Sequence, residues 1–210
     1  MICIDSPRTP KDLLGKVNRL FELSAHTIRS LEDSWRPAHG APVFTINGRY
    51  TARGWTEWTE GFQYGSSLLQ FDATDERAFL ELGQERTLTR MAPHLTHVGV
   101  HDHGFNNVST YGALWRLALE GRIEASEWER RFYALALKVS GAVQARRWTS
   151  LPDGGYIYSF NGAHSLFVDT IRSLRALAIA HVLGHRLVEE QDAQISLLAR
   201  LLQHARATAT

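Results

Sequence analysis

Seven segments of this chain space their apolar residues at three- and four-residue steps, and the joints between them are short. That spacing lines one side of an α-helix, whereas a half-buried strand alternates at every second residue. Helices in close succession, with almost no strand pattern, restrict the chain to an all-α fold of antiparallel helical hairpins. At 210 residues it reads as a single domain over 1–210, large enough for a substantial core.

The first segment runs from Lys11 to about Ser34, with Leu13, Leu14, Val17, Leu20, Phe21 and Ile28 in step. Thr9-Pro10 is its start signal and Arg36-Pro37 its stop. Residues 38–53 carry Gly40, Pro42 and Gly48 around Val43–Ile46, a loop with at most one short strand. The spacing then predicts helices from about Gly61 to Phe71, from Asp75 to about Met91, and from the 101–105 stretch to about Glu120. A fifth runs from about Ser126 to Trp148 and opens on Ser126-Glu127-Trp128-Glu129, a capping-box pattern. Leu151–Gly155 is a turn, Tyr156–Phe160 a brief extended piece and Asn161-Gly162 a second turn. Helix six is expected from about Ser165 to Leu183, closed by Gly184. Helix seven is expected from about Glu189 to the tail.

In an up-down stack, alternate helices begin at the same end. The second, fourth and sixth starts therefore bring three stretches to one rim: Trp58–Phe62, His101–Phe105 and Ser165–Asp169. Convergent polar groups at the mouth of a helical stack make a binding site. His101-Asp102-His103-Gly104-Phe105 is the richest of the three. Asp102 lies at a helix start, where backbone N–H groups are unpaired and favour a carboxylate; a plain N-cap would also account for it. Asp169 stands among Phe167, Val168 and Ile171, where a charge calls for a reason. It either compensates the dipole of a first helical turn or is a carboxyl held partly out of water with a raised pKa. Asp102, between two histidines, is expected to be the ionised one. Two carboxyls in unlike surroundings are what acid–base division of labour requires. Trp58 and Phe62 are candidates for a stacking wall, Phe160 and Tyr158 for the wall opposite, and core packing is the competing account of all four. Asn161 and His164 read as solvated loop residues, and His181, His185 and His204 are given no role.

A metal site from His101, Asp102 and His103 is disfavoured, because residues two apart diverge on a helix and no further ligand motif accompanies them. The expectation is no metal and no cofactor. A net charge of +1 shows no footprint for nucleic acid. The single Cys3 excludes an internal disulfide framework and fits a reducing compartment. Met1–Asp5 does not read as a signal peptide, and no apolar run is long enough for a bilayer span. A soluble, cytoplasmic protein without membrane partners is expected.

Trp58-Thr-Glu-Gly-Phe62, then Val100-His-Asp102-His-Gly-Phe105, then Gly155-Tyr-Ile-Tyr-Ser-Phe160, then Asp169 in an apolar setting, resemble the unsaturated glucuronyl hydrolases, glycoside hydrolase family 88. The order and approximate spacing match over about residues 50 to 185. The resemblance implies an (α/α)6 barrel of six helical hairpins, of which this chain would form an incomplete part. It implies hydration of the vinyl ether in a 4,5-unsaturated uronic acid at the non-reducing end of an oligosaccharide. By motif, Asp169 matches the general acid/base and Asp102 the second essential aspartate. Trp58 matches an aromatic of the substrate pocket and Phe160 falls where the family usually has Trp; His101 and His103 are expected to bind substrate beside them. The chain departs from the family at Glu60, Gln63, Val100 and His103, which bears on substrate identity. An incomplete toroid would leave an apolar face open to self-association. A non-catalytic carbohydrate-binding or helical-repeat scaffold is the alternative; it needs the aromatic rim but not the aspartates.

Overall fold

The computed structural model describes residues 9–55 and 57–209, so Cys3 and the Met1–Asp5 stretch lie outside the described residues. The chain is mostly helical, as the apolar spacing predicts. Helix α1 (Pro10–Ser34) starts with Pro in its first turn and a capping box, in which the Thr9 N–H donates to Asp12 Oδ2 at 2.7 Å. It buries only Ile28 fully and is held by Arg86–Glu32 at 2.6 Å and by the Gln70 amide on the Phe21 carbonyl at 3.1 Å. The loop that follows is a β-hairpin, β1 (Phe44–Ile46) against β2 (Arg49–Thr51). Asn47 and Gly48 both have positive φ, 49° and 73°, the requirement of a tight two-residue hairpin turn.

Helices α2 (Glu60–Thr74) and α3 (Arg77–Arg90) form the first packed hairpin, and a short α4 (Ala92–Thr96) leads to the central stretch. The expected fourth helix is α5 (His103–Asn107), a π turn over Val108–Gly112, and α6 (Ala113–Leu119), run end to end. Helix α7 (Glu127–Arg146) begins at the Ser126 capping box, with Glu129 N–H donating to Ser126 Oγ at 3.2 Å. It is followed by a second hairpin, β3 (Trp148–Leu151) with β4 (Gly154–Ile157).

Two expected helix boundaries are displaced. Ser165–Phe167 is not helical; a 3-10 turn over Val168–Ser173 precedes α8 (Leu174–Val182). Residues from Glu189 do not start a helix. They form the turn of a small hairpin, β5 (Leu187–Val188) with β6 (Gln194–Ile195), and α9 (Leu197–Ala209) follows. Gln191 and Asp192 both sit at φ 58°, a left-handed pair that a helical start cannot contain.

Tyr64, Leu68 and Phe71 of α2, Phe79 and Leu80 of α3, Tyr111, Leu114 and Leu117, and Tyr133 and Leu137 of α7 make the main core. A second cluster joins Ala145, Ile157, Leu174, Leu177, Ala180 and Leu197. Among the described residues, no helix is long and apolar enough to cross a membrane.

Candidate active site

The starts of α2, α5 and the 3-10 turn before α8 meet at one end of the stack. Close backbone approach makes this possible. A Cβ on Gly61 would stand 2.4 Å from Asn106 Cβ, and one on Gly104 would stand 2.7 Å from Ser173 Cβ. Only glycine lets these segments come so near. The Asn106 amide also donates to the Trp58 carbonyl, and Ser173 Oγ donates to the His101 carbonyl at 2.5 Å.

Asp102 and Asp169, distant in sequence, come together around His101. His101 Nε2 stands 3.2 Å from Asp169 Oδ1 and 3.7 Å from Asp102 Oδ1. One ligand atom of each residue lies within 4.8 Å of the others. His101 is 1% exposed, and its Nδ1 is 2.5 Å from Ser159 Oγ. A hydroxyl can donate or accept, so Ser159 serves either imidazole tautomer. Nε2 and Asp169 Oδ1 are both buried, and their approach has ion-pair distance without the alignment of a hydrogen bond. Asp169's other oxygen accepts from Arg172 Nη2 at 2.8 Å, and the Arg172 guanidinium lies over the Phe105 ring at 4.3 Å.

The carboxyls have unlike surroundings, but not in the expected order. Burial raises the Asp102 pKa above the usual carboxylate value; His101 pulls it down by less, and Asp169 adds to the rise. The side chain of Asp102 is 10% exposed against 30% for Asp169. The expectation that flanking histidines draw the Asp102 pKa down is not met, for a physical reason. Burial lowers the pKa of His101, and that of His103 falls to about 3, so both rings favour the neutral form. Asp102 is also not a side-chain cap of α5, since its carboxylate makes no capping hydrogen bond.

His103 does not face this site. It is fully buried in a separate cluster, with Nδ1 3.0 Å from His94 Nδ1 and Nε2 2.6 Å from His97 Nδ1. His94 Nε2 in turn stands 3.0 Å from Glu60 Oε2. The divergence of residues two apart on a helix start removes His103 from the substrate-facing set, and with it the His101/Asp102/His103 metal set. Phe160 does reach the site: its ring stacks on His101 at 6.5 Å, meets Phe167 at 5.8 Å and takes the edge of Trp55 at 6.1 Å. Trp58 holds the rim through its carbonyl; the indole against Phe160 belongs to Trp55, which is 55% exposed. Phe62 stacks on Phe105 at 5.1 Å, and Tyr158 lies against the Arg147 guanidinium at 4.5 Å.

Sequence reasoning passed over Trp55, Ser159, Arg172 and Arg147. Arg147 is 1% exposed and donates from Nε and Nη2 to the Tyr158 carbonyl at 3.2 and 3.1 Å. Arg172 had a legible signal in its three-residue spacing from Asp169; the others are long-range neighbours with none. His204, given no role, is fully buried and accepts the Ile157 N–H at 3.1 Å, tying α9 to β4. Comparison with known proteins matches no family model, no curated protein and no solved structure.

Proposed function

We propose that the chain carries the acid pair of a glycoside hydrolase acting on oligosaccharides that end in an unsaturated uronic acid. The observation that supports this reading is the convergence of Asp102 and Asp169 on His101, beside the Trp55, Phe160 and Phe167 rings. Two carboxyl groups this close can address one sugar ring, and aromatic faces suit its apolar side. The helical hairpins are then part of an (α/α)6 toroid, the oligosaccharide is the partner, and the setting is the cytoplasm.

In this reading the buried Asp102 keeps its proton until an alkene carbon receives it. Water adds to the other alkene carbon and gives its proton to Asp169, which Arg172 orients. The product is a hemiketal, which opens and releases the neighbouring sugar. The roles are the reverse of those the resemblance implies, because Asp102 is the more deeply buried carboxyl and burial raises its pKa. His101 Nε2 lies beside both carboxyls, while Ser159 contacts its far nitrogen.

The test follows the alkene absorbance of unsaturated disaccharides with wild type, Asp102→Asn and Asp169→Asn. Wild type consumes the alkene, and each variant is slower by about 10²-fold or more. Binding without alkene loss in the wild type overturns the enzymatic reading in favour of a carbohydrate-binding scaffold. Full activity in either variant removes that residue from the chemistry.

A further inference from the structure

We propose that His101, Asp102 and Asp169 also form a binding site for a divalent first-row cation, with Zn2+ or Mn2+ the fitting ions. The proposal does not rest on the glycosidase reading, since it concerns an ion and needs no sugar.

Three electron-pair donors face one another here. His101 Nε2 is 3.2 Å from one carboxylate oxygen and 3.7 Å from another. Donors about 2.1 Å from a shared ion stand about 3.0–3.5 Å apart, so two edges of a coordination polyhedron are nearly formed. The third edge closes by a small rotation of a carboxylate, because all three atoms already lie within 4.8 Å. Among the described residues this is the one group of three or more His, Cys, Asp or Glu side chains with that spacing.

The second observation is that His101 Nε2 and Asp169 Oδ1, both enclosed, face each other at 3.2 Å and neither has another hydrogen-bond partner. His101 as a residue is 1% exposed. Buried polar groups of this kind carry a cost unless something binds them. Arg172 takes the outer oxygen of Asp169, and Arg147 is turned to the Tyr158 carbonyl. Two carboxylates and a neutral imidazole are a mixed oxygen and nitrogen set, which suits Zn2+ and Mn2+ better than an all-oxygen ion such as Ca2+.

The supporting layer is present as well. A ligating imidazole commonly donates its other nitrogen to a fixed acceptor, which sets the tautomer and aims the ring. Ser159 Oγ lies 2.5 Å from His101 Nδ1 and can accept that proton, leaving the Nε2 lone pair toward the carboxylates. Arg172 does the same for Asp169 by fixing one oxygen so that the other points inward. The His94/His103/His97 cluster lacks this form: His103 spends both ring nitrogens on two different imidazoles.

The experiment loads the full chain with Zn2+, removes excess ion by gel filtration and measures bound metal by elemental analysis. Co2+ replaces Zn2+ for a visible absorption readout. The expected result is one equivalent retained by wild type and by His97→Ala, and loss of retention in Asp169→Asn. Asp169 is partly exposed, so this variant is expected to fold, with circular dichroism as the check. Ser159→Ala is expected to bind about 10–100-fold more weakly, as for other supporting partners of a ligand. Failure of the wild type to retain metal overturns the proposal. So does equal retention by Asp169→Asn, and so does loss in His97→Ala alone, which would move the ion to the other histidine cluster.

Discussion

Replacing Gly104 with Ala tests the contact that draws Asp102 and Asp169 together. The new Cβ would lie 2.7 Å from Ser173 Cβ, 3.0 Å from Ser173 Oγ and 3.1 Å from Gln144 Cγ. Carbon atoms prefer about 3.5–4.0 Å, so the Ser173 segment must retreat by nearly 1 Å, while the flexible Gln144 can turn aside. Overpacking of this size costs about 1–3 kcal/mol. Retreat also weakens the Ser173 bond to the His101 carbonyl, worth about 1 kcal/mol. Ala recovers up to about 1 kcal/mol through its better helix propensity. The net expectation is a loss of roughly 1–3 kcal/mol in urea unfolding followed by circular dichroism. The cause is checked by a cycle with Ser173→Gly, which removes the atoms that clash. The double variant is expected to be more stable than the sum of single losses allows, by about 1 kcal/mol. A Gly104→Ala chain as stable as wild type would refute the argument. So would single losses that add to within about 0.5 kcal/mol, the behaviour of uncoupled sites.

Gly141→Ala would set a Cβ 2.4 Å from Ala180 Cβ and 2.7 Å from the Ala176 carbonyl oxygen. Both are rigid, so α7 and α8 must part, at about 1–3 kcal/mol in the same assay, and Ala180→Gly is expected to recover part of it. Ser126→Ala removes the acceptor of the Glu129 N–H and is expected to cost about 1 kcal/mol. Acid is expected to destabilise the fold below neutral pH. His103 has a folded-state pKa of about 3 against 6.5 ordinarily, so between these values the unfolded chain binds more protons. This contribution is complete above about pH 6.5 and is lost as pH falls toward about 3, amounting to roughly 2 kcal/mol by pH 5. His101, His185 and His204 shift in the same direction. A urea midpoint that stays level from pH 7 to pH 5 would contradict it.

Most of the helical framework is legible because local spacing and caps carry it. Helix α1 has its apolar steps, Thr9-Pro10 and the Pro37 stop; α7 has Ser126 and Glu129. The rest depends on signals of another kind. Asn47-Gly48 is a hairpin mark that the reading of a loop passed over. Glu189-Glu190 resembles an acidic helix start, yet the left-handed Gln191 and Asp192 turn the chain back instead. In the site, the meeting of Asp102 with Asp169 was legible from the direction of alternate helices. The fate of His103 was not, because it depends on His94 and His97 arriving from the α4 segment. Nor was the burial of Arg147 or the approach of Trp55, since packing between distant segments leaves no periodic trace.

The π turn at Val108–Gly112 has a consequence for how this rim tolerates change. Each residue of an α-helix advances about 100° around the axis and about 1.5 Å along it, and a wider turn of this kind absorbs one residue more than regular winding does. Deleting a single position there would let the rod rewind evenly with little rotation of what precedes it, whereas a deletion in the regular winding of α6 would swivel the preceding segment by about 100°. His101 and Asp102 would keep their line with Asp169 in the first case and lose it in the second, even though no residue of the trio had been altered.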